Sequence, residues 1–202
     1  MVTKTLNIRV NSAMIRQLNQ QGYRLCFATG VQTGGRVNYN VIASTNSVAS
    51  NITIQWEDSY AIAGSTTSFQ PGALVDMATS TVGINLGQSY TLPKDFTDGP
   101  INDDSSAPKD GIRFVNKTSA AAAVLFKRIN GQNAPIYISA MAPLPPGVED
   151  ITPLSRVAVW FQNEAQTSMM ISNLPGGSRE MEMSFLTEAT LEYTGSGSWI
   201  QV

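Results

Sequence analysis

The sequence predicts an all-β protein: two tandem, related β-sandwich modules with one short helix near the N-terminus. Three observations predict it. Apolar and polar residues alternate over short runs through most of the chain. Gly, Asn, Ser and Pro punctuate those runs closely. One stretch alone repeats with a helical period. The 202 residues suit one large β domain or two of about 100 residues each.

Leu6, Ile8 and Val10 share one face of a first strand, with Asn7 and Arg9 on the other. The helix is expected at about residues 12–21. Asn11 or Ser12 caps it, Met14, Ile15 and Leu18 form its apolar face, and Gly22 ends it. Two to three turns need tertiary packing to persist. The expected role is a plug at one end of a sandwich. The rival role is a membrane-inserting segment, as in some pore-forming toxins. The short apolar face and the lack of a Lys/Arg-rich polar face count against it.

Further strands are expected at about 23–31, 37–44, 52–58, 60–65, 73–78 and 82–86, with Gly34-Gly35 as the clearest hairpin signal. The pattern breaks around residues 95–110, where Pro100, Pro108 and several Asp residues leave little that is apolar. This stretch reads as a linker between a first module, 1–94, and a second, 111–202. The second strand series comprises Ile112 and Phe114, then 124–126, 136–139, 157–161, 169–171, 181–185, 189–193 and 199–202. Ala120–Ala123 favours helix by composition but reads as strand or bulge among β-leaning neighbours. Pro143–Pro146 reads as a stiff extended loop.

The halves look like diverged copies. Ile52-Thr-Ile-Gln-Trp56 resembles Val157-Ala-Val-Trp-Phe161, about 105 residues later. Gln70-Pro-Gly72 resembles Leu174-Pro-Gly176, and Val75-Asp-Met77 resembles Met181-Glu-Met183, at nearly the same spacing. The competing arrangement is one larger sandwich whose sheets mix strands from both halves.

Composition excludes several function classes. The chain has no His and one Cys, so Ser-His-Asp and Cys-His machinery and His- or Cys-based zinc sites are absent. Its 13 Lys+Arg are scattered and the net charge is −2, so neither nucleic acid nor an anionic membrane surface meets a basic block. Charged residues make up 14% of the chain, against about 25% in ordinary proteins. Such a surface tolerates self-association and neutral polar ligands such as sugars. No stretch approaches the roughly 20 apolar residues of a membrane span. The N-terminal residues lack the apolar core of a secretory signal, and with a lone Cys this points to the cytoplasm. The sequons at Asn51 and Asn116 are then expected to be unmodified.

Several segments carry a resemblance. QGYRLCFATGV with YNVIAS, ITIQWEDSYAIAGST with FQPGALV, and VAVWFQNEAQTSMMIS together resemble a group of uncharacterised small β-rich proteins of filamentous fungi. The resemblance implies a fungal, cytosolic β protein. It implies no activity, and no site residue is carried over from it.

A search for chemistry yields little. The adjacent acids Glu57-Asp58, Asp103-Asp104 and Glu149-Asp150 read as solvated surface residues rather than acid–base pairs. Asp95, Asp98, Asn102, Asp103 and Asp104 crowd oxygen ligands into one stretch. Their spacing does not match an EF-hand, so a polar linker is expected rather than a calcium site. No phosphate-binding glycine pattern occurs, and Gly195-Ser-Gly197 lacks a third Gly and a following helix. Cys26 reads as a buried, inert thiol. Met169, Met170, Met181 and Met183 read as core filling.

The aromatics carry the recognition signal, because flat rings stack on sugars while amides and carboxylates bond the hydroxyls. Trp56 shares a face with Ile52 and Ile54 and is expected in the core. Trp160 lies opposite Val157, Val159 and Phe161, so it is either exposed or covered by another layer. With Asn163, Glu164 and Gln166 close behind, Trp160 is the candidate ligand-binding centre. The expected function is a non-enzymatic binding protein of lectin or defence type that recognises glycans, with no cofactor and no metal. The alternatives are a self-associating structural protein, and a pore-forming toxin deploying the helix. A homo-oligomer suits the first two.

Overall fold

The computed structural model describes residues 2–141 and 144–202. The elements of the first half are β1 (Thr3–Val10), α1 (Ser12–Gln20), β2 (Tyr23–Thr33), β3 (Arg36–Asn38), β4 (Ala43–Ser44), β5 (Asn51–Ser65), β6 (Val82–Ile84) and β7 (Gln88–Leu92). The rest are β8 (Ile101–Asp103), β9 (Ile112–Asn116), β10 (Ala122–Ile129), β11 (Gln132–Ile138), β12 (Gly147–Asn163), β13 (Arg179–Glu182), β14 (Glu188–Gly195) and β15 (Ser198–Gln201). The described residues are all-β with one helix, as the alternation predicts. Pro143 of the proline-rich stretch lies outside the described residues.

The strands form two sheets. A seven-stranded sheet runs β11-β10-β5-β1-β14-β15, with β6 added on β5. An eight-stranded sheet runs β3-β2-β12-β9-β7-β8, with β13 on β12 and β4 on β2. Pairing is antiparallel apart from β1 with β14 and β7 with β9.

Each sheet takes strands from both sides of residues 95–110. β1 pairs with β14, β5 with β10, β2 with β12 and β7 with β9. This is the mixed arrangement, not two tandem modules. A physical reason is strand length. β5 has 15 residues and β12 has 17, while β3, β4 and β6 have three or fewer. The short strands cannot satisfy the edges of the long ones, so strands of the other half do. Residues 101–103 of the expected linker supply β8, which pairs with β7. The look-alike segments 52–56 and 157–161 lie in opposite sheets.

The main core lies between the sheets. Leu6, Ile8 and Val10 of β1 and Ile54, Trp56 and Ile62 of β5 meet Leu25, Phe27 and Val31 of β2 and Val157 and Val159 of β12. Phe27 and Trp56 pack with ring centroids 5.3 Å apart. Each such side chain, fully buried, contributes roughly 1.5–3 kcal/mol. Ala121 and Ala123 also face this core, and the second half of the alanine run, Ala122 and Ala123, opens β10. The turns follow local chemistry. Gly34 and Gly35 both have positive φ (54° and 76°) in the β2–β3 hairpin, as do Asn130 and Gly131 (49° and 79°) between β10 and β11.

The outer faces are partly covered. On the eight-stranded sheet, Cys26, Ala28, Ala158 and Trp160 are buried under Ile42, Ala165, Met169 and Ile171. On the seven-stranded sheet, Ala61, Ala63, Val124 and Phe126 are buried under Val41 and Met170. The strands expected at 73–78 and 169–171 are reduced to single bridges, Leu74 to Met169 and Val41 to Met170. Asn40 closes the β11 edge: its amide donates to the Ile138 carbonyl at 2.7 Å, and its oxygen accepts from the Ile138 N–H at 3.3 Å.

Candidate functional site

A groove of about 570 Å³ opens where α1, the β14–β15 turn and the Gly176-Gly177 loop meet. The helix forms as its sequence requires. Asn11 caps it, its side-chain oxygen accepting the Ala13 N–H at 2.9 Å. Gly22, at φ 71°, ends it and donates its N–H to the Asn19 carbonyl at 3.1 Å. Met14, Ile15 and Leu18 pack against the main core and remain partly open to water. Met14 and Leu18 also line the groove, together with the amide side chains of Gln17 and Gln21.

The opposite wall depends on glycine. Gly195, Ser196 and Gly197 all have positive φ (105°, 51° and 75°). Gly177, at φ 83°, lies so close to Gly197 that a Cβ on either would sit 2.9 Å from the other's Cα. A Cβ at Gly195 would meet Met14 Sδ at 3.2 Å. The floor is aromatic. Phe161 stacks on Trp199 (5.5 Å, 8°), and Tyr193 meets Phe161 edge-on at 4.8 Å. Trp199 Nε1 donates to the Gly177 carbonyl at 2.9 Å, and the Tyr193 hydroxyl accepts the Gly197 N–H at 3.1 Å. These bonds tie both glycine turns to the rings. None of the lining residues is Asp, Glu, Lys or Arg.

No family model, curated protein or solved structure matches this chain.

The groove is not the site the sequence singled out. Trp160 is 1% exposed, and its ring packs among Cys26, Ala28 and Met169, so it offers no face to a ligand. Its Nε1 donates to Gln162 Oε1 at 2.9 Å. Asn163, Glu164 and Gln166 are exposed. Asn163 and Glu164 border a shallow depression of about 650 Å³ beside Gly72 and Ser172, which Gln166 does not line. The structure thus separates the ring from the polar residues expected to work with it. Phe161, one residue on, turns to the opposite face and reaches the groove. The two glycine pairs and Trp199 were the signals available for it.

The acidic residues are also more engaged than expected. Asp58 pairs with Lys127 at 2.9 Å, and Glu57 approaches Arg128 at 3.9 Å. In the 95–110 stretch the acids bond local groups. Asp95 accepts from Thr97, Asp98 from the Ser80 N–H, Asp103 from Gln88 and Asp104 from the Ser106 N–H. Among the described residues no three His, Cys, Asp or Glu side chains gather to hold a metal ion. Cys26 is buried, which pushes its thiol up to about 12.

Glu149 is the largest departure. It is half-buried on β12 rather than solvated, and its carboxylate accepts from Tyr137 Oη at 2.7 Å and Ser139 Oγ at 2.6 Å. Burial pushes its carboxyl above the usual range, against the opposing pull of the Ser139 and Tyr137 hydrogen bonds. A carboxyl raised on folding favours the protonated fold. Its stabilising contribution is full below the unfolded value and is lost as pH rises through the folded one. Glu149→Gln is expected to flatten that decline and to equal or exceed wild-type stability at neutral pH. Melting temperatures across pH check this, and parallel curves for the two proteins would refute it.

Proposed function

We propose that the protein binds a neutral polar ligand, specifically a glycan, in the groove between α1 and the β14–β15 turn. The observation that carries this reading is the lining itself. It combines Phe161 and Tyr193 ring surface with the Gln17 and Gln21 amides and glycine backbone, and it holds no ionic side chain. Apolar surface with a few convergent polar groups is the ordinary make-up of a small-ligand site. Rings supply stacking area while amides bond hydroxyls. The lining offers no carboxylate, amine or thiol to move a proton, which supports binding without turnover. A buried, unpaired thiol at Cys26 suits a reducing compartment such as the cytoplasm.

A glycan array probed with the purified protein tests the reading, followed by titration of the best hit. Gln17 on α1 and Gln21 at its C-terminal cap are both exposed, so the Gln17→Ala/Gln21→Ala variant keeps the fold. Losing two hydrogen bonds from the site should weaken binding by about tenfold or more. An array without hits, or a double variant that binds like wild type, would remove the proposal.

Self-association is the second reading. β15 is an open sheet edge, and Ile200 on it and Val202 just after it are 52% and 60% exposed. Light scattering over a wide concentration range tests it, and a constant monomer mass would end it. Membrane insertion by α1 finds less support, because Met14, Ile15 and Leu18 are already packed against the core. Among the described residues no helix is long and apolar enough to cross a membrane.

A further inference from the structure

A second cleft, of about 720 Å³, lies on the side of the molecule where β11 faces β12, and Glu149 forms part of it. Three features set it apart from the uncharged groove. First, the lining holds two acids, the Arg113-paired Asp150 and Glu149, and of these Glu149 is left to meet a ligand. Tyr137 and Ser139, which donate to it, are 0% and 1% exposed, so their hydroxyls serve the carboxylate and do not meet a ligand. Each carboxylate oxygen has taken one hydroxyl and keeps further acceptor capacity. Second, the carboxylate has no ion-pair partner among the described residues. Arg113 is committed to Asp150 through two bonds of 2.8 and 2.9 Å. Arg36 borders the cleft but forms no ion pair with Glu149. Third, the neighbouring wall is apolar: Leu144 is half-buried, and Val148 and Met141 are 54% and 72% exposed.

A mostly buried carboxylate without a cation costs stability, and a bound cation would remove that cost. A metal ion would find Glu149 and an Asp150 already committed to Arg113, where several free oxygen ligands are needed. An ammonium group is compact and carries three donors, which suits one carboxylate. An alkyl stem behind it would cover Met141, Leu144 and Val148. We infer that this cleft binds the ammonium group of a primary alkylamine, with Glu149 as the acceptor and Met141, Leu144 and Val148 against the stem. The chemistry is shared by a free alkylamine and a lysine side chain. It is independent of glycan binding at the other groove.

The test is a calorimetric titration of the full chain with three probes: n-butylammonium, the uncharged n-butanol, and Nα-acetyl-lysine N-methylamide. Wild type should prefer n-butylammonium to n-butanol by about tenfold or more, as a charge-assisted bond requires. Glu149→Gln should lose that preference while keeping its circular dichroism. Binding of the lysine derivative as well as n-butylammonium supports the inference with a lysine side chain as the source. Binding of n-butylammonium alone supports it with a free amine. Equal binding of alcohol and ammonium by wild type overturns it without reliance on any variant. So does undiminished ammonium binding by Glu149→Gln, or no binding at millimolar concentration.

Discussion

Replacing Asp58 with Asn is expected to destabilise the protein by about 3–5 kcal/mol, the cost of leaving a buried charge unpaired. Lys127 points inward from β10 on the face that buries Leu125 and Ile129, and its side chain is 1% exposed. Its ammonium lies 2.9 Å from Asp58 Oδ1 and 5.4 Å from the centre of the Tyr60 ring. Among the described residues it has no hydrogen-bond partner of good geometry. Lys4, also turned inward, is better served: it donates to Ser155 Oγ at 3.1 Å and to the Met183 carbonyl at 2.9 Å. Asp58 thus faces two cations. It is 42% exposed on its side-chain surface, which places the loss toward the lower end of the range. Lys127→Met is the informative contrast. Exchanging the buried ammonium for an apolar group of similar volume should be neutral or stabilising, and it should rescue most of the Asp58→Asn loss. Urea denaturation at neutral pH measures all three variants. A loss below about 1 kcal/mol for Asp58→Asn would show that water already reaches the ammonium.

The acid limb follows from the same pair. Burial pushes the Asp58 carboxyl up, but the Lys127 charge 2.9 Å away, with help from Lys4 and Tyr60, brings it below the usual carboxylate range. A carboxyl lowered on folding stabilises the fold above its unfolded value and ceases to do so as pH falls through the folded one. Asp58→Asn should therefore lose part of the wild-type acid sensitivity, where Glu149→Gln changes the opposite limb.

Trp160→Ala is expected to cost about 3–5 kcal/mol, the range for deleting a buried aromatic side chain. The ring fills the space between β2–β12 and the covering segments that carry Ile42, Ala165 and Met169. Removing it would leave a cavity under segments that hold little regular structure, so partial collapse should moderate the loss. Trp160→Phe should retain most of the stability. Glycan affinity, measured on the folded fraction, should be unchanged, because the ring lies on the opposite face of β12 from Phe161. Loss of affinity without loss of stability would restore Trp160 to the binding role its position in the sequence invited.

Trp160 also shows where sequence reading stops. Alternation placed it correctly on the face opposite Val157 and Val159, and it placed Trp56 in the core. The covering layer was invisible because residues 39–42 and 165–174 are largely irregular and carry no period. The β class, the helix with its Asn11 cap and Gly22 stop, and the Gly34-Gly35 hairpin were legible because their causes are local. Strand partners were not, since a strand records which face is apolar but not which strand lies beside it. Glu149 was misread for the same reason. Its partners Tyr137 and Ser139 lie on β11, and nothing near Glu149 in the chain announces them. The groove draws on α1, β2, β12, the 176–177 loop and the β14–β15 turn, five segments that only the fold unites.

The parallel pairing of β1 with β14 bears on how the chain is made. Asn7 bonds Glu188 across a separation of 181 residues. At about 5–20 residues per second, synthesis leaves that side of β1 without its neighbour for roughly ten to forty seconds. During that interval β1 can complete only its β5 side, and its other row of backbone groups stays open to any extended strand nearby. A topology so rich in distant pairings should also refold slowly, on the scale of milliseconds to seconds or longer. Nascent chains crowded on one messenger would thus be at their most adhesive just before β14 emerges. Chaperone dependence should peak there rather than at the earlier hairpins.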